Sequence, residues 1–282
     1  MAYISPMLTN IVTAVKKASI NLNRDFSEIE RLQNSVKGSM DFTKIAFDKI
    51  QKGLKNELGK ILPALPVVMV SEKVPQSGMF LILSGIEGLA NFAHGNPEFA
   101  ISAALMDGQT VLAGVVYNPA RDELFFAEKG KGAFKEGFRS HERLRVAARQ
   151  ELDGALVAVR PTANDAELSA KIVNNTLRLC HDVRISGATA LDLAYVAAGK
   201  LDGVIAPATM LASMAAGILL VKEAGGLVLD MEQEDTRTED LPMVLNSGNL
   251  MAASFNLSQK IAKILNATVE DLFSYLEENQ EQ

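Results

Sequence analysis

The stretch Leu81-Ile-Leu-Ser-Gly-Ile-Glu-Gly-Leu-Ala-Asn-Phe-Ala-His-Gly-Asn-Pro97 decides how this chain folds. The apolar run 79–83 predicts a buried strand, and Gly85 and Gly88 after it predict a turn before a helix start. Such an arrangement presents backbone N–H groups above the strand end, where a phosphate could bind. Taken alone, this spacing is more typical of a tight turn than of a ligand loop.

The same stretch resembles the inositol monophosphatase family, which ends a strand in Asp-Pro-Ile/Leu-Asp-Gly-Thr-x-Asn-Phe and continues with His-Gly-x-Pro. The frame is kept at Ile86, Gly88, Asn91, Phe92, His94, Gly95 and Pro97. The chemistry differs, because the motif's first Asp falls on Ser84, its second on Glu87 and its Thr on Leu89. The resemblance therefore combines a kept scaffold with missing carboxylates.

Another metal-site position of the family lies upstream. The family segment Lys-Gly-x-x-Asp-Phe/Leu-Val-Thr-x-x-Asp is similar to 37–47, and its last Asp falls on Phe47. Asp48 is adjacent, but one residue turns a helical side chain by about 100°. The apolar spacing of Ile50 and Leu54 disfavours a slip that would bring Asp48 into place.

The run Ser71-Glu72-Lys73 resembles the family's Gly/Ser-Glu-Glu at the end of a strand, whose first Glu bridges metals. Glu72 is the best match to that Glu. The other register places Ser71 on the ligand position. A solvated Glu–Lys pair at a strand end is an equally good interpretation.

Two long segments of the second half, 186–203 and 211–226, also resemble the family. In the second, the metal-binding Asp falls on Ser213, and the substrate-contacting Glu seven residues earlier falls on Ala206. By this resemblance the degenerate catalytic positions are Phe47, Ser84, Leu89 and Ser213. The substrate-contact candidates are Glu87, Gly88, Leu89, Ala188 and Ala206, and the metal-ligand candidates are Glu72 and Glu87.

The family's reaction uses clustered carboxylates that hold Mg²⁺ ions. With most of that charge missing, we expect a phosphatase-like protein that has lost metal-dependent catalysis and acts by binding, with no cofactor. The alternative is a weak or altered phosphatase of inositol phosphate or a related sugar phosphate, with Mg²⁺ at Glu72, Glu87 and Asp48. A serine hydrolase is disfavoured, since neither Ser84 nor Ser213 has a His or Lys nearby in sequence.

The composition predicts a cytoplasmic protein that binds neither nucleic acid nor membrane. The net charge is −6, where a general nucleic-acid binder would be basic. Cys180 is the single cysteine, which excludes an internal disulfide framework. No window approaches the 18 consecutive apolar residues of a membrane helix. The resemblance implies a homodimer, and a protein partner fits the binding role.

The element pattern predicts two α/β parts. Helices over 5–26 and 43–62 and an antiparallel meander form an α+β half, residues 1–140, with a charged linker at 141–145. Alternating strands and helices form an α/β half, residues 141–282, ending in a helix over 251–265. The resemblance implies a layered α/β/α/β/α sandwich. The extension 267–282 has a helical apolar face that packs on its own domain or on a partner.

Overall fold

The computed structural model describes residues 4–33, 36–70, 72–233 and 238–266. Its helices are α1 (Pro6–Arg31), α2 (Val36–Ile61), α3 (Leu89–Ala93), α4 (Ala166–Leu179), α5 (Thr189–Ala197), α6 (Leu211–Glu223), α7 (Leu241–Ser247) and α8 (Phe255–Asn266). Its strands are β1 (Val67–Met69), β2 (Met79–Glu87), β3 (Ala100–Asp107), β4 (Thr110–Asn118), β5 (Glu123–Glu128), β6 (Gly132–Lys135), β7 (Glu142–Arg143), β8 (Leu156–Val159), β9 (Asp182–Arg184), β10 (Gly203–Ala206), β11 (Leu227–Asp230) and β12 (Leu250–Ala253).

The strands form two sheets. The first contains β1 to β7 in sequence order, and every pairing except the parallel β1–β2 pair is antiparallel. The second has the order β11-β12-β10-β8-β9, in which β12 is antiparallel to both of its neighbours. The predicted meander and the predicted α/β alternation thus correspond to separate sheets.

Three hydrophobic cores stack these elements into five layers. The first core packs α1 and α2 on one face of the first sheet. The second fills the space between the two sheets with α5 and α6. The third packs α4 and α8 on the outer face of the second sheet. The layered α/β/α/β/α architecture expected from the sequence is confirmed.

Strand β2 is buried on both faces because it lies between two helical layers. Leu81 and Leu83 face the core under α1 and α2, whereas Phe80 and Ile82 face the central helices. Side chains alternate along a strand, so a strand covered on both sides reads as a continuous apolar run. This is why the run 79–83 is so clear a strand signal.

The helical layer differs from the sequence prediction at both helices. Helix α1 runs to Arg31 rather than 26, and Ile29 in its last turns is fully buried. Helix α2 begins at Val36 rather than 43, so the predicted start is wrong and Gly38 lies inside the helix. Phe42, which precedes the predicted start, packs on the core, so tertiary packing outweighs the local propensity of this segment.

Strand β2 continues to Glu87, four residues beyond the predicted end. Ser84 pairs with Ser102 and Glu87 with Ala100, with a register shift between them. Such a bulge bends a strand and redirects its side chains without ending it. Gly85 therefore belongs to the strand, and the turn is made at Gly88, whose φ of 86° suits glycine.

The structure after residue 140 differs from the sequence prediction at two further places. Residues Leu250–Ala253 form strand β12, not the first turn of the helix predicted over 251–265, because they pair with β10 and β11 at once. The predicted linker 141–145 contains β7, which pairs with β6 as the edge of the first sheet. The division into domains at residue 140 stays a prediction. The extension 267–282 lies outside the described residues.

Among the residues described, no helix has both the length and the apolar character needed to cross a membrane.

The contact between α5 and α6 gives a first test. A Cβ at Gly217 would lie 2.5 Å from the Cβ of Leu193, so Gly217→Ala must push the two helices apart. We expect the free energy of unfolding in urea to fall by about 1–3 kcal/mol. The matched control is Gly59→Ala in α2, where a Cβ meets nothing within 4 Å and stability should hold or rise. Equal stability of both variants would contradict this packing.

Candidate functional site

The carboxylate of Glu87 caps the first turn of α5. Its two oxygens accept hydrogen bonds from the backbone N–H groups of Thr189 at 2.9 Å and Ala190 at 3.3 Å. The first amides of a helix have no partner within the helix, and the helix dipole favours an acceptor there. Glu87, at the end of β2, thus joins the first sheet to the central helical layer.

Burial makes negative charge unfavourable at this position. Burial, followed by the charge of Asp192, raises the pKa of Glu87 to about 8, against the opposing effect of the two α5 amides and of Arg160. Burial also raises the pKa of Asp192 to about 7, although the Ser186 hydroxyl donates a hydrogen bond of 2.6 Å to it. The two carboxyl groups therefore hold protons well above their ordinary pH range.

Hydroxyl groups stand where the family motif has carboxylates. Ser84 and Ser213 are both buried, on β2 and in the first turn of α6. Ser102, directly opposite Ser84 on β3, is fully buried as well. Within the described part of the chain, the side-chain oxygens of Ser102 and Thr189 have no hydrogen-bond partner. The side chains at these positions are therefore polar and uncharged.

The carboxylate of Glu72 is directed at its own turn. It accepts a hydrogen bond of 2.9 Å from the backbone N–H of Met69 and forms a 3.1 Å ion pair with Lys55 of α2. The Met69 amide, followed by Lys55, lowers the pKa of Glu72. Its side chain is 44% exposed, and its ion-pair partner is Lys55 rather than the adjacent Lys73 considered in the sequence analysis. The alternative ligand position, Ser71, lies outside the described residues.

The remaining catalytic positions carry apolar side chains. Phe47 packs against the core beneath α1 and α2, whereas its neighbour Asp48 is exposed to solvent. Leu89 is 41% exposed at the start of α3, and it carries no hydroxyl that could orient water. These placements leave Asp48 apart from the buried surface that Phe47 contacts.

The backbone of the substrate-contact positions is tightly packed. A Cβ at Gly88 would lie 2.8 Å from the carbonyl oxygen of Glu98 and 3.3 Å from the Cβ of Ala188. Ala188 and Ala206 are fully buried. Of the predicted site residues, the structure brings Glu87, Gly88 and Ala188 together around the start of α5.

Two kept residues, Asn91 and Glu223, act as clamps: each side chain forms hydrogen bonds to backbone groups of segments that are distant in sequence. The sequence analysis did not predict this role. The side-chain amide of Asn91 donates to the carbonyl oxygens of Glu98 and Ser186, both at 2.6 Å. Glu223, in the segment Glu-Ala-Gly-Gly, accepts from the backbone N–H groups of Gly130 and Gly132, both at 2.7 Å. The sequence did contain a signal for this role, because both residues belong to the segments that resemble the family.

Metal ligands are not clustered in the described part of the chain. It contains no group of three or more His, Cys, Asp or Glu side chains that could hold an ion. Glu72 and Glu87, the two metal-ligand candidates, are engaged by backbone amides and a lysine.

The sequence profile of the inositol monophosphatase family matches residues 4–272. The chain belongs to the inositol monophosphatase family. It is 38% identical over 234 residues to an inositol-1-monophosphatase of Mesorhizobium japonicum, covering 81% of this chain and 86% of that protein. It is 33% identical over 237 residues to the Nus factor SuhB of Salmonella typhimurium, covering 80% and 85%.

A solved family structure confirms the fold. The extragenic suppressor protein suhB from Bartonella henselae superposes with a TM-score of 0.79 at 33% sequence identity. The match covers 93% of this chain and all of that one. The family resemblance inferred from the motifs is therefore confirmed.

The raised pKa of Glu87 predicts how stability varies with pH. A carboxyl whose pKa rises from 4.5 in the unfolded chain to about 8 in the folded chain stabilises the fold below pH 4.5, and this contribution is lost as the pH rises through 8. Between pH 4.5 and 8, ionisation of Glu87 should therefore lower the free energy of unfolding by up to about 1.4 kcal/mol for each unit by which the pH rises. In urea titrations with EDTA, we expect Glu87→Gln to flatten this decline.

Glu72→Gln is the matched control. The pKa of Glu72 is lowered, so its contribution is lost only as the pH falls below 4.5. Its variant should keep the wild-type decline between pH 4.5 and 8. A wild-type decline in Glu87→Gln would show that the Glu87 pKa is not raised.

Proposed function

We propose that this member of the inositol monophosphatase family has lost Mg²⁺-dependent phosphatase activity and acts by binding. The observation that carries the proposal is the engagement of both Glu87 oxygens by the amides of α5. A carboxylate used in this way is directed at a helix rather than at an ion. The other matched positions, Ser84 and Ser213, offer only neutral hydroxyl oxygens.

The donor chemistry supports the same proposal. Mg²⁺ requires anionic oxygen ligands in near-octahedral geometry and gives up its water reluctantly. Family members depend on Mg²⁺, whereas the donor set here does not fit that ion. Each lost carboxylate ligand removes on the order of several kcal/mol of transition-state stabilisation. No step of phosphate hydrolysis is therefore assigned to these residues.

The relatives support a role in protein binding. The Salmonella typhimurium relative is named a Nus factor, and we propose that the present chain likewise acts through a protein partner, as a cytoplasmic homodimer. Direct nucleic-acid binding is not part of the proposal, because the net charge of −6 opposes it. Regulation of the partner or sensing of a ligand are both compatible with a scaffold that has kept its clamps.

The direct test is phosphate release from inositol 1-phosphate at high protein concentration with excess Mg²⁺. We expect the same release with and without EDTA, because no assembled ion would be present to remove. The Mesorhizobium japonicum relative, assayed in parallel, checks that the conditions detect turnover. Robust release that EDTA abolishes would refute the proposal.

Restoring the family residues provides a positive counterpart. A combined variant with Phe47→Asp, Ser84→Asp, Leu89→Thr, Ala206→Glu and Ser213→Asp should regain Mg²⁺ binding, because the clamps that hold the frame are intact. The measurement is isothermal titration calorimetry with Mg²⁺, with circular dichroism to show that the variant is folded. A folded variant without metal affinity would show that the scaffold itself has changed.

A weak or altered phosphatase is the second candidate, favoured by the 38% identity to a protein named inositol-1-monophosphatase. It would hold a single ion with Glu72, Glu87 and Asp48. An ion that binds only the folded chain must raise the melting temperature. This second candidate therefore requires that millimolar Mg²⁺ or Mn²⁺ raise the melting temperature. An unchanged melting temperature would rule out the weak phosphatase.

A further inference from the structure

Two neighbouring strands of the second sheet send the chain to opposite faces of that sheet. Strands β8 and β10 are parallel, with Val159 beside Ile205. After β8 the chain runs to α4 on the outer face, whereas after β10 it runs to α6 in the central layer. The two connections therefore separate at the carboxyl ends of these strands. In open α/β sheets such a separation leaves a crevice, and ligands bind there.

Arg160 is the first residue after β8 and lies at this crevice. Its backbone N–H donates to the carbonyl oxygen of Ile205 at 2.9 Å, and its guanidinium donates to the carbonyl oxygen of Pro207 at 3.1 Å. These two bonds hold Arg160 against the end of β10, next to Ala206. The sequence analysis assigned Arg160 no role, since the residue lies outside the segments that resemble the family.

The positive charge of Arg160 acts on the buried carboxyl group of the candidate site. It lowers the pKa of Glu87, against the larger opposing effect of burial. The oxygens of Glu87 accept hydrogen bonds from the amides of α5, and no described carboxylate forms an ion pair with Arg160. The guanidinium therefore lies near the family's substrate-contact positions without being neutralised there.

Most of the donors of Arg160 are not used by the described residues. A guanidinium carries five N–H groups in a planar fork, and among those residues only the bond to Pro207 engages one of them. Arg160 is also only partly exposed, so its charge is screened less than that of a fully solvated arginine. A partly buried cation with unused donors favours an anion as its ligand.

The neighbouring side chains do not oppose an anion. Ala206 stands where the family has a substrate-contacting Glu, and it carries no charge that would repel one. Thr189 begins α5 beside Glu87, and its hydroxyl is buried without a hydrogen-bond partner in the described part of the chain. A cation and a neutral donor thus replace negative charge in this region.

We propose that Arg160 makes this crevice a metal-independent site for a small organic anion, whose phosphate or carboxylate group accepts hydrogen bonds from the guanidinium. The inference rests on the proposed binding role and names the class of ligand. Phosphate and carboxylate groups both present oxygens that match the arginine fork in pairs. A neutral polyol would leave the charge of Arg160 unpaired, and a free divalent cation would be repelled by it.

Calorimetric titration of the full-length chain in EDTA tests this proposal. Inorganic phosphate and succinate are the anionic probes, and myo-inositol is the neutral probe. We expect at least one of the anions to bind and to raise the melting temperature at constant ionic strength, because a ligand of the folded chain stabilises it. The anion that binds more tightly identifies the preferred group. Myo-inositol should neither bind nor change the melting temperature.

Variants of Arg160 connect the binding to the crevice. Arg160→Met should weaken binding of the anion about tenfold or more. Arg160→Lys keeps the charge but loses the fork, so its affinity should be intermediate. If Arg160 only held the chain at Pro207, its variants would change the melting temperature without any probe, and the wild-type chain would not respond to the anions. Circular dichroism shows that each variant is folded.

Arg145→Met is the matched control. The guanidinium of Arg145 also donates one hydrogen bond of 3.1 Å to a backbone carbonyl oxygen, that of Leu144, and forms no ion pair with the described residues. Arg145 lies near Gly199, which follows the end of α5 opposite Thr189. Its replacement should leave the affinity for both anions unchanged.

Three results would overturn the proposal. The first is that neither anion binds in EDTA, or that myo-inositol binds as tightly as they do. The second is that Arg160→Met and Arg145→Met weaken binding equally. The third is binding of the anions only when Mg²⁺ is added, which would also count against the proposed function. A lack of binding both with and without Mg²⁺ would remove this inference alone, since the proposed function is refuted by phosphate release that EDTA abolishes.

Discussion

The hydrogen bonds from α5 to Glu87 join the first sheet to the central helical layer at the family motif. They satisfy helix amides that would otherwise be buried without partners, and the cost of leaving such groups unpaired is comparable to a lost hydrogen bond. The same bonds commit the one acidic side chain left at the end of β2 to a structural task. Fold and electrostatics are thus linked at a single residue.

The kept and the changed positions of the motif separate by what their side chains contact. Asn91 and Glu223 bind backbone groups of distant segments, so replacing either would leave those groups unpaired. Among the described residues, the side chains of Ser84, Leu89 and Ser213 form no such clamp, so their chemistry could change without disturbing the layers. The residues that hold the fold are therefore different from those at the family's catalytic positions.

The sequence predicted the layers, whereas the contacts at the site depend on tertiary structure. Covered strands such as β2 produce apolar runs that need no knowledge of their neighbours, and the end of α6 is marked by Gly225, whose φ of 88° favours glycine and stops the helix. By contrast, residues 250–253 form a strand because they pair with β10 on one side and β11 on the other, and these contacts exist only in the tertiary structure. The same holds for Glu87, because its partners lie about one hundred positions away along the chain.

The turn at Gly88 limits how far this chain can diverge from its family. Its left-handed backbone and the carbonyl oxygen of Glu98 leave no room for a side chain, whatever the protein does. The fold itself therefore requires this glycine, independently of the side chains on either side of it. Because this turn is required sterically, its presence in a sequence indicates the fold and common descent, and by itself it indicates no activity.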